Sequence, residues 1–506
     1  MWLAVYFNWL VVLALAGAVA GELFTAMADV EGLLQAEKEV VGVIDMYIQA
    51  EHERLKTLRS VALEYQNKNK EALKDGSDYL ANPVNAYLLI KRLTSNWDHV
   101  ESLMKHNSAD DFIKNVTTRR DASFAKFPDQ EDLKGAATAL MRLQDTYNLR
   151  PSDIADGRLE GVKGSEELTG HDCLELARIS YNARDYYHSL MWSEEAMQRM
   201  RRENPPTVGE NEVLEYLAYA MYQQGNIKRA LALTRRLAEI DPNHPRAKGN
   251  VQWYLDEMAK EGIKVKDKEE LPPVSNMRQN SNQEHRNYEA LCRGENFKTE
   301  AELSRLYCAY KTNRPYLRLA PLKYEVVHLK PMMKVFKGVL SDYEISVVKE
   351  LAAPKLKRAT VKGGDGTLIT VDYRIAKSAW LKDEHHPVIE RINRRLQDMT
   401  DLSMETAEEL QVANYGLGGH YEPHYDMSTR GEYDPYELGS GNRIATVLSY
   451  MSEPEAGGAT VFVNMKITLF PVKGDAAFWH NLKASGEPDL STRHAACPVI
   501  AGVKWG

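Results

Sequence analysis

The chain has 506 residues, of which 43% are hydrophobic and 27% are charged, and its formal net charge is −8. This composition is typical of folded soluble domains and excludes a mainly disordered chain, and the negative net charge argues against a nucleic acid as a partner. The length exceeds what one hydrophobic core serves, so about three domains are expected.

The first 21 residues are apolar and end in small residues, Ala-Val-Ala-Gly, which are typical of a signal-peptide cleavage site. They predict a signal peptide over 1–21; a membrane anchor is the alternative, because no Lys or Arg precedes the apolar stretch. No later segment is apolar enough to span a membrane, so the mature protein is expected to be lumenal or secreted. Asn115, in Asn-Val-Thr, is a candidate glycosylation site on that route.

Apolar residues between positions 30 and 65 recur at three- and four-residue spacing, which predicts a long helix. Two heptad positions form the seam, one with Leu34, Val41, Ile48, Leu55 and Ala62, the other with Ile44, Leu58 and Tyr65. The seam favours a coiled coil, and Glu37 and Glu51 on it favour an ordinary amphipathic helix instead. We predict an all-α helical and coiled-coil dimerisation domain over 22–155.

Residues 165–258 show the pattern of tetratricopeptide helix pairs, which form concave peptide-binding surfaces. Tyrosine and tryptophan are dense here, and most of these rings are expected in the core. Tyr216 and Tyr219 are three residues apart and therefore share a helix face. Because aromatic grooves hold polyproline-II peptides, these two residues are the first candidates for lining a peptide-binding groove.

Residues 259–325 begin with a charged, polar run and are predicted to be a linker. Cys292 and Cys308 lie 16 residues apart in this segment. In an oxidising compartment they are expected to form a disulfide that closes this loop and stabilises the fold by roughly 3 kcal/mol. Cys173 falls in an amphipathic helical run and is expected to be a buried thiol.

From residue 326 to 506 the pattern changes to short β-rich runs separated by turn residues, which predicts a jelly roll, or double-stranded β-helix. The predicted fold class is therefore multidomain α+β: an all-α N-terminal domain, a tetratricopeptide-like α domain and a C-terminal jelly roll.

One strand-like run in this last domain, 421–426, places His424 and Asp426 two residues apart, hence on one strand face. One more histidine would complete the 2-His-1-carboxylate set that holds non-haem Fe(II) with open coordination positions. His494, 68 residues after Asp426, is the candidate. His480 and His420 are rivals; His420 is expected on the same face as His424 but about 13 Å away.

A 2-oxo acid such as 2-oxoglutarate can chelate such an iron, and it needs a cation for its far carboxylate. Lys504, ten residues after His494, is the candidate. By spacing alone, a solvated lysine near a chain end is the alternative.

Several runs in the C-terminal domain resemble those of the collagen prolyl 4-hydroxylase α-subunit family. They are Gln-Val-Ala-Asn-Tyr-Gly (411–416), Tyr-Glu-Pro-His-Tyr-Asp (421–426), Gly-Asn-Arg-Ile-Ala-Thr (441–446), Ala-Gly-Gly-Ala-Thr-Val-Phe (456–462) and Ser-Thr-Arg-His-Ala-Ala-Cys-Pro-Val (491–499). The resemblance extends to Leu-Gln-Asp-Thr-Tyr-Asn-Leu (143–149) and Tyr-Gln-Gln-Gly (222–225), so it covers nearly the whole mature chain.

The resemblance implies that His424, Asp426 and His494 hold Fe(II) and that Lys504 pairs with 2-oxoglutarate, with Tyr415 and Tyr450 near the co-substrate. It implies O2-dependent 4-hydroxylation of proline in X-Pro-Gly sequences of procollagen, with L-ascorbate keeping the iron reduced. It also implies an α2β2 tetramer with protein disulfide isomerase as β subunit, in the lumen of the endoplasmic reticulum. The tetratricopeptide-like domain would bind the Pro-rich substrate.

The sequence departs from the family at two positions of the predicted groove. Family members often have Asp where Glu215 precedes Tyr216, and they have a Tyr where Trp253 stands. The family also continues past Gly506, with a further Trp and a Cys that would bridge to Cys497. Two alternatives follow from these departures: a non-catalytic peptide-binding subunit, or a hydroxylase of another Pro-rich secreted protein.

Overall fold

The computed structural model describes residues 22–75, 89–106, 109, 112–113, 128–159, 166–263, 271–278, 282–362, 367–429 and 441–506. The predicted signal peptide at 1–21 and the candidate glycosylation site Asn115 lie outside these residues. By packing, the described residues of Asp29–Pro128 form one compact unit, and those of Asp129–Gly506 form another together with residues 22–28. No helix among the described residues is long and apolar enough to cross a membrane.

The unit Asp29–Pro128 is dominated by one long helix, as the heptad pattern predicts. The helices that the structure describes here from end to end are α1 (Met27–Asp75, which begins two residues earlier) and α2 (Ser95–Lys105). The Arg54 guanidinium on α1 donates to the Leu103 carbonyl on α2 (2.9 Å), and the Tyr65 hydroxyl donates to the Arg92 carbonyl (2.9 Å). Leu34, Val41 and Leu55 on α1 are exposed, so the described residues of this unit leave much of the first predicted heptad position uncovered.

A layer of helices forms the first part of the second unit. They are α3 (Gln130–Tyr147), α4 (Pro151–Ala155), α5 (Gly170–Asn182), α6 (Tyr186–Arg202), α7 (Glu210–Gln223), α8 (Ile227–Ile240) and α9 (Ala247–Lys260). Local signals set their ends: Asp129 and Asp132 form a capping box at α3, and Thr169 and Asp172 form one at α5. One hydrophobic core runs through the layer and buries Met141, Trp192 and Leu214.

Further helices lie between and among the strands. They are α10 (Gln283–Cys292), α11 (Glu300–Leu303), α12 (Pro315–Leu319), α13 (Asp342–Ala352) and α14 (Pro387–Thr400). The segment predicted as a linker therefore contains a packed helix, because Tyr288 and Leu291 of α10 are buried against Val461 and Ala495.

The strands begin inside the predicted linker and continue to the end of the chain. They are β1 (Cys308–Lys311), β2 (Leu322–Leu329), β3 (Met332–Phe336), β4 (Lys357–Arg358), β5 (Val361–Lys362), β6 (Leu368–Ile369), β7 (Lys377–Leu381), β8 (Leu410–Tyr415), β9 (Tyr421–His424), β10 (Ala445–Ser449), β11 (Ala456–Gly457), β12 (Thr460–Phe462), β13 (Ile467–Leu469), β14 (Ala476–His480), β15 (His494–Ala496), β16 (Val499–Ala501) and β17 (Lys504–Trp505).

The strand pairs in the described residues are antiparallel, as expected for the predicted jelly roll. The sheet orders are β1-β2-β3-β14-β10, β13-β12-β15-β9 and β17-β8-β7-β4, with the pairs β11-β16 and β5-β6. The first two sheets pack face to face, since Phe462 on β12 meets Trp479 on β14 with ring centroids 5.1 Å apart. The predicted fold class is confirmed.

The predicted Cys292–Cys308 disulfide is wrong: Cys292 bonds to Cys497. The cause is the packing of α10, whose last residue is buried against β12 and β15, next to Cys497. Cys308 lies exposed on β1 as a free thiol. The bond therefore joins residues 205 positions apart and ties α10 to the sheet that carries β9 and β15.

The short last strand is held from two sides. Gly506 and Ala413 exchange backbone hydrogen bonds (2.8 and 3.0 Å), and Lys504 pairs with Tyr415 on β8. On the other side, the Met451 amide donates to the Trp505 carbonyl (2.9 Å). These hydrogen bonds fix the backbone of Lys504, for which residue spacing alone allowed a solvated position near a chain end.

Candidate metal centre

The cluster of metal-ligating side chains in the described residues consists of His424, Asp426 and His494, with one donor atom of each within 4.8 Å of the others. His424 on β9 and His494 on β15 are direct cross-strand partners. Their Nε2 atoms lie 3.6 Å and 3.5 Å from the carboxylate oxygens of Asp426. Two imidazoles and one carboxylate with an open side are the ligand set of non-haem Fe(II).

Backbone carbonyls orient both imidazoles. His424 Nδ1 lies 2.7 Å from the Glu422 carbonyl, and His494 Nδ1 lies 3.0 Å from the Thr492 carbonyl. Because a carbonyl oxygen only accepts, each Nδ1 carries the proton and donates it. In the neutral ring the lone pair is then on Nε2, the nitrogen that lies nearer Asp426 and that can bind a metal.

The protonation states also suit a metal. Burial, together with the neighbouring His494, lowers the pKa of His424 to about 4. Burial alone would raise the pKa of Asp426, but the adjacent His494 and His424 outweigh it and hold that pKa well below its usual range. A neutral imidazole and an ionised carboxylate at neutral pH require no proton release before a cation binds.

His420 and His480 do not join this cluster. The pairing of β9 with β15 shifts register between Tyr421 and His424, so one more residue stands on β9 than on β15. Such a bulge re-aims side chains, and His420 lies in a cavity of about 230 Å³ with Arg142 and His188 of the helical layer. The prediction that His420 faces the same way as His424 is therefore wrong. His480 lies half-buried at the end of β14 against Phe478.

Lys504 is buried deeply, with 2% of its surface exposed. Its Nζ has no hydrogen-bond partner among the described residues and lies 5.0 Å from the centre of the Tyr415 ring. Burial lowers the pKa of Lys504 from 10.5 to about 7, which corresponds to about 5 kcal/mol against the charged form. A buried ammonium without a partner is costly unless an anion pairs with it, so the alternative of a solvated lysine is excluded.

Of the two tyrosines that the family resemblance places near the co-substrate, Tyr415 borders Lys504, and these two residues define the lysine pocket. The Tyr415 ring is half-buried, and burial raises the pKa of its hydroxyl. Tyr450 is buried, and its hydroxyl donates to Thr460 Oγ1 (3.1 Å) on β12. The buried Lys504 beside Tyr415 offers a cation to a carboxylate.

The aromatic residues of the helical layer form a continuous run of contacts. Tyr181 on α5 contacts Tyr216 and Tyr219 on α7, with ring centroids 5.2 and 5.5 Å apart. Tyr219 also contacts Tyr222 (6.2 Å), which contacts Trp253 (4.7 Å) on α9. The predicted groove candidates Tyr216, Tyr219 and Trp253 thus belong to one cluster, in which Tyr219 is central and half-buried.

Sequence reasoning missed Thr446, Asn481 and Trp479. The Thr446 hydroxyl donates to Asp426 Oδ2 (2.7 Å) and receives a hydrogen bond from the Asn481 amide (2.9 Å). The signal that could have found Thr446 is its place in the run 441–446, on a strand that pairs with the strand carrying Trp479.

Family models and relatives of known name point to the same family over most of the chain. Residues 26–161 match the family "Prolyl 4-Hydroxylase alpha-subunit, N-terminal region", 170–260 the "Prolyl 4-hydroxylase peptide-substrate-binding domain", and 410–506 the "2OG-Fe(II) oxygenase superfamily". Prolyl 4-hydroxylase subunit alpha-2 of Caenorhabditis elegans is 54% identical over 501 residues, covering 98% of this chain and 92% of that protein. Prolyl 4-hydroxylase subunit alpha-1 of Homo sapiens is 45% identical over 494 residues, covering 95% and 92%.

Proposed function

Because the chain belongs to the prolyl 4-hydroxylase α-subunit family, and is thus an Fe(II)- and 2-oxoglutarate-dependent enzyme, we propose that its substrate is proline in X-Pro-Gly sequences of procollagen. The observation that carries the catalytic part is the pairing of two features in one jelly roll. One is the His-Asp-His cluster, and the other is the buried Lys504 ammonium, which has no hydrogen-bond partner in the part of the chain that the structure describes.

His424, Asp426 and His494 would hold the iron, and Lys504 would bind the far carboxylate of 2-oxoglutarate. The iron, when bound with 2-oxoglutarate and O2, supplies the oxidising chemistry that hydroxylates an unactivated carbon. The chain itself orients both imidazoles through the Glu422 and Thr492 carbonyls. The buried rings of Phe462 and Trp479, within 5.3 and 4.9 Å of the His494 ring, exclude water from that side of the site.

The affinity for 2-oxoglutarate is expected to depend on pH through Lys504. Its pKa is about 7, so the ligand-free protein carries the cation below that pH and loses it above. A carboxylate needs the protonated form, so the dissociation constant should rise as pH increases above 7, by up to about tenfold per unit. Calorimetric titration across this range tests it, and a Lys504→Met variant should lose the dependence. A flat profile in the unaltered protein would show that Lys504 does not pair with the co-substrate.

We propose that the tyrosine cluster around Tyr219 binds the Pro-rich substrate, since aromatic surfaces hold polyproline-II segments. Tyr219→Ala removes the ring that joins Tyr181 to Tyr222, and is expected to weaken binding of a (Pro-Pro-Gly) peptide about tenfold. Fluorescence titration measures it. Tyr343→Ala, at an exposed tyrosine on α13, is the matched control and should leave the affinity unchanged. Equal affinities of the two variants would place the peptide elsewhere.

A competition experiment distinguishes a procollagen substrate from another Pro-rich secreted protein. Turnover of a (Pro-Pro-Gly) peptide is measured against increasing polyproline. A collagen-type enzyme should hydroxylate the first peptide and bind the second without comparable product. Preferential hydroxylation of a Pro-rich peptide that lacks the X-Pro-Gly pattern would favour the alternative substrate.

We further propose the assembly and location that the family implies: an α2β2 tetramer with protein disulfide isomerase, in the endoplasmic reticulum, with L-ascorbate keeping the iron reduced. The exposed heptad residues of α1 support pairing of α subunits. A signal peptide at 1–21 and a glycan on Asn115 belong to the same proposal, as do the predicted domain limits 22–155 and 165–258. Sedimentation of the chain co-expressed with the isomerase tests the tetramer.

The non-catalytic alternative is less favoured by the site. Each residue predicted to hold iron or 2-oxoglutarate is present, and the strand that carries Lys504 is hydrogen-bonded on both sides.

A further inference from the structure

A buried chain of hydrogen bonds leads from the core to Asp426. The Trp479 indole Nε1 donates to Asn481 Oδ1 (2.9 Å), the Asn481 amide donates to Thr446 Oγ1 (2.9 Å), and the Thr446 hydroxyl reaches Asp426 Oδ2 (2.7 Å). Trp479 and Asn481 are buried. Trp479, Asn481 and Thr446 are not metal ligands, so the ligand set does not explain this series of hydrogen bonds.

The Trp479 indole, the first donor, fixes the direction of each hydrogen bond in this series. An indole nitrogen only donates, so the atom of Asn481 facing Trp479 is the carbonyl oxygen. The other end of that side chain is then the amide, which only donates, and Thr446 must accept from it. The single hydroxyl proton of Thr446 therefore points at Asp426, where an ionised carboxylate accepts it.

We propose that Thr446 is a positioning residue for Asp426, held in its donor orientation by Asn481 and Trp479. The proposal rests on the proposed role of Asp426 as a metal ligand. With Oδ2 bound to the hydroxyl, Oδ1 accepts no hydrogen bond from the described residues and is presented to the metal. A carboxylate that binds through one oxygen leaves more of the metal's positions open to 2-oxoglutarate and O2.

The strands make this arrangement rigid. Thr446 on β10 and Trp479 on β14 are direct cross-strand partners, and Asn481 follows β14 immediately. The donors thus sit on the sheet that faces the one carrying His424 and His494. A ligand supported by two strands of the opposing sheet keeps its geometry better than one supported by a loop.

Thr446→Val tests the proposal, because valine has nearly the shape of threonine and no hydroxyl. We expect Co(II), titrated into the metal-free full-length chain and followed by its visible absorption, to bind 10–100-fold more weakly, on the order seen for loss of a ligand-supporting hydrogen bond. The absorption spectrum should also change as the carboxylate rotates. Thr446→Ser, which restores the donor, should return the affinity to within about threefold.

Thr468→Val is the matched control, since Thr468 Oγ1 donates to the Leu291 carbonyl (2.9 Å), outside the metal cluster. The melting temperatures of the two metal-free valine variants should agree, while their Co(II) affinities differ. Equal affinities for Thr446→Val and Thr468→Val, or equal losses for Thr446→Val and Thr446→Ser, would overturn the proposal. Failure of the unaltered chain to bind Co(II), or unimpaired binding by Asp426→Ala, would instead refute the ligand assignment.

Discussion

Replacing Lys504 by methionine is expected to raise the 2-oxoglutarate KM about 100-fold, because a buried charge-assisted pair contributes about 3 kcal/mol. The same change should make the ligand-free protein more stable. Methionine fills a similar volume and removes an ammonium whose pKa burial has lowered to about 7. A rise in Tm of at least about 2–4 °C is expected, because about 1 kcal/mol shifts Tm by that amount and the burial cost of the ammonium is larger, about 5 kcal/mol. Lys504→Met is thus expected to weaken 2-oxoglutarate binding and to raise the stability of the ligand-free protein.

The measurement pairs turnover kinetics with thermal unfolding in the absence of 2-oxoglutarate. Lys349→Met is the matched control, because the Lys349 ammonium lies 5.6 Å from the ring centre of the neighbouring Trp505 and outside the lysine pocket. It should change neither KM nor metal affinity. A Lys504→Met variant that is less stable and binds Co(II) poorly would mean that Lys504 holds the fold rather than the co-substrate.

Replacing His494 by alanine is expected to abolish turnover and to weaken metal binding by at least about a thousandfold. The variant removes one of two imidazoles and leaves a two-ligand site, which first-row metals bind poorly. Titration with Co(II) measures the affinity, and coupled turnover measures the activity. The result would show that His494 completes the cluster that His424 and Asp426 begin.

His480→Ala is the control for this prediction, because the sequence offered His480 as a rival third ligand. Its half-buried ring packs on Phe478, outside the cluster. It should bind metal like the unaltered chain. If His480→Ala lost metal and His494→Ala kept it, the ligand assignment would be exchanged between them.

The sequence predicted the parts of the fold and site that depend on short-range patterns. The two-residue spacing predicted that His424 and Asp426 lie together, although β9 ends at His424 and Asp426 lies in the bend after it. Heptad spacing predicted α1, and the family resemblance supplied His494 and Lys504. What it missed depends on contacts between distant segments. The partner of Cys292 is set by the packing of α10 on β12 and β15, and the orientation of His420 by one extra residue in β9.

The support of Asp426 was missed for a similar reason. Thr446, Asn481 and Trp479 come from two strands whose pairing is known only once the sheet is formed. The burial of Lys504 likewise depends on hydrogen bonds from β8 and from Met451, far earlier in the chain. Residue spacing alone therefore suggested a solvated lysine where the fold buries one.

The most direct test of the central claim is 2-oxoglutarate decarboxylation by the full chain, co-expressed with protein disulfide isomerase and supplied with Fe(II), ascorbate and a (Pro-Pro-Gly) peptide. We predict peptide-dependent decarboxylation, with 4-hydroxyproline formed in equal amount and with neither product from the His494→Ala variant. Decarboxylation no higher than that of His494→Ala, with or without the peptide, would contradict it.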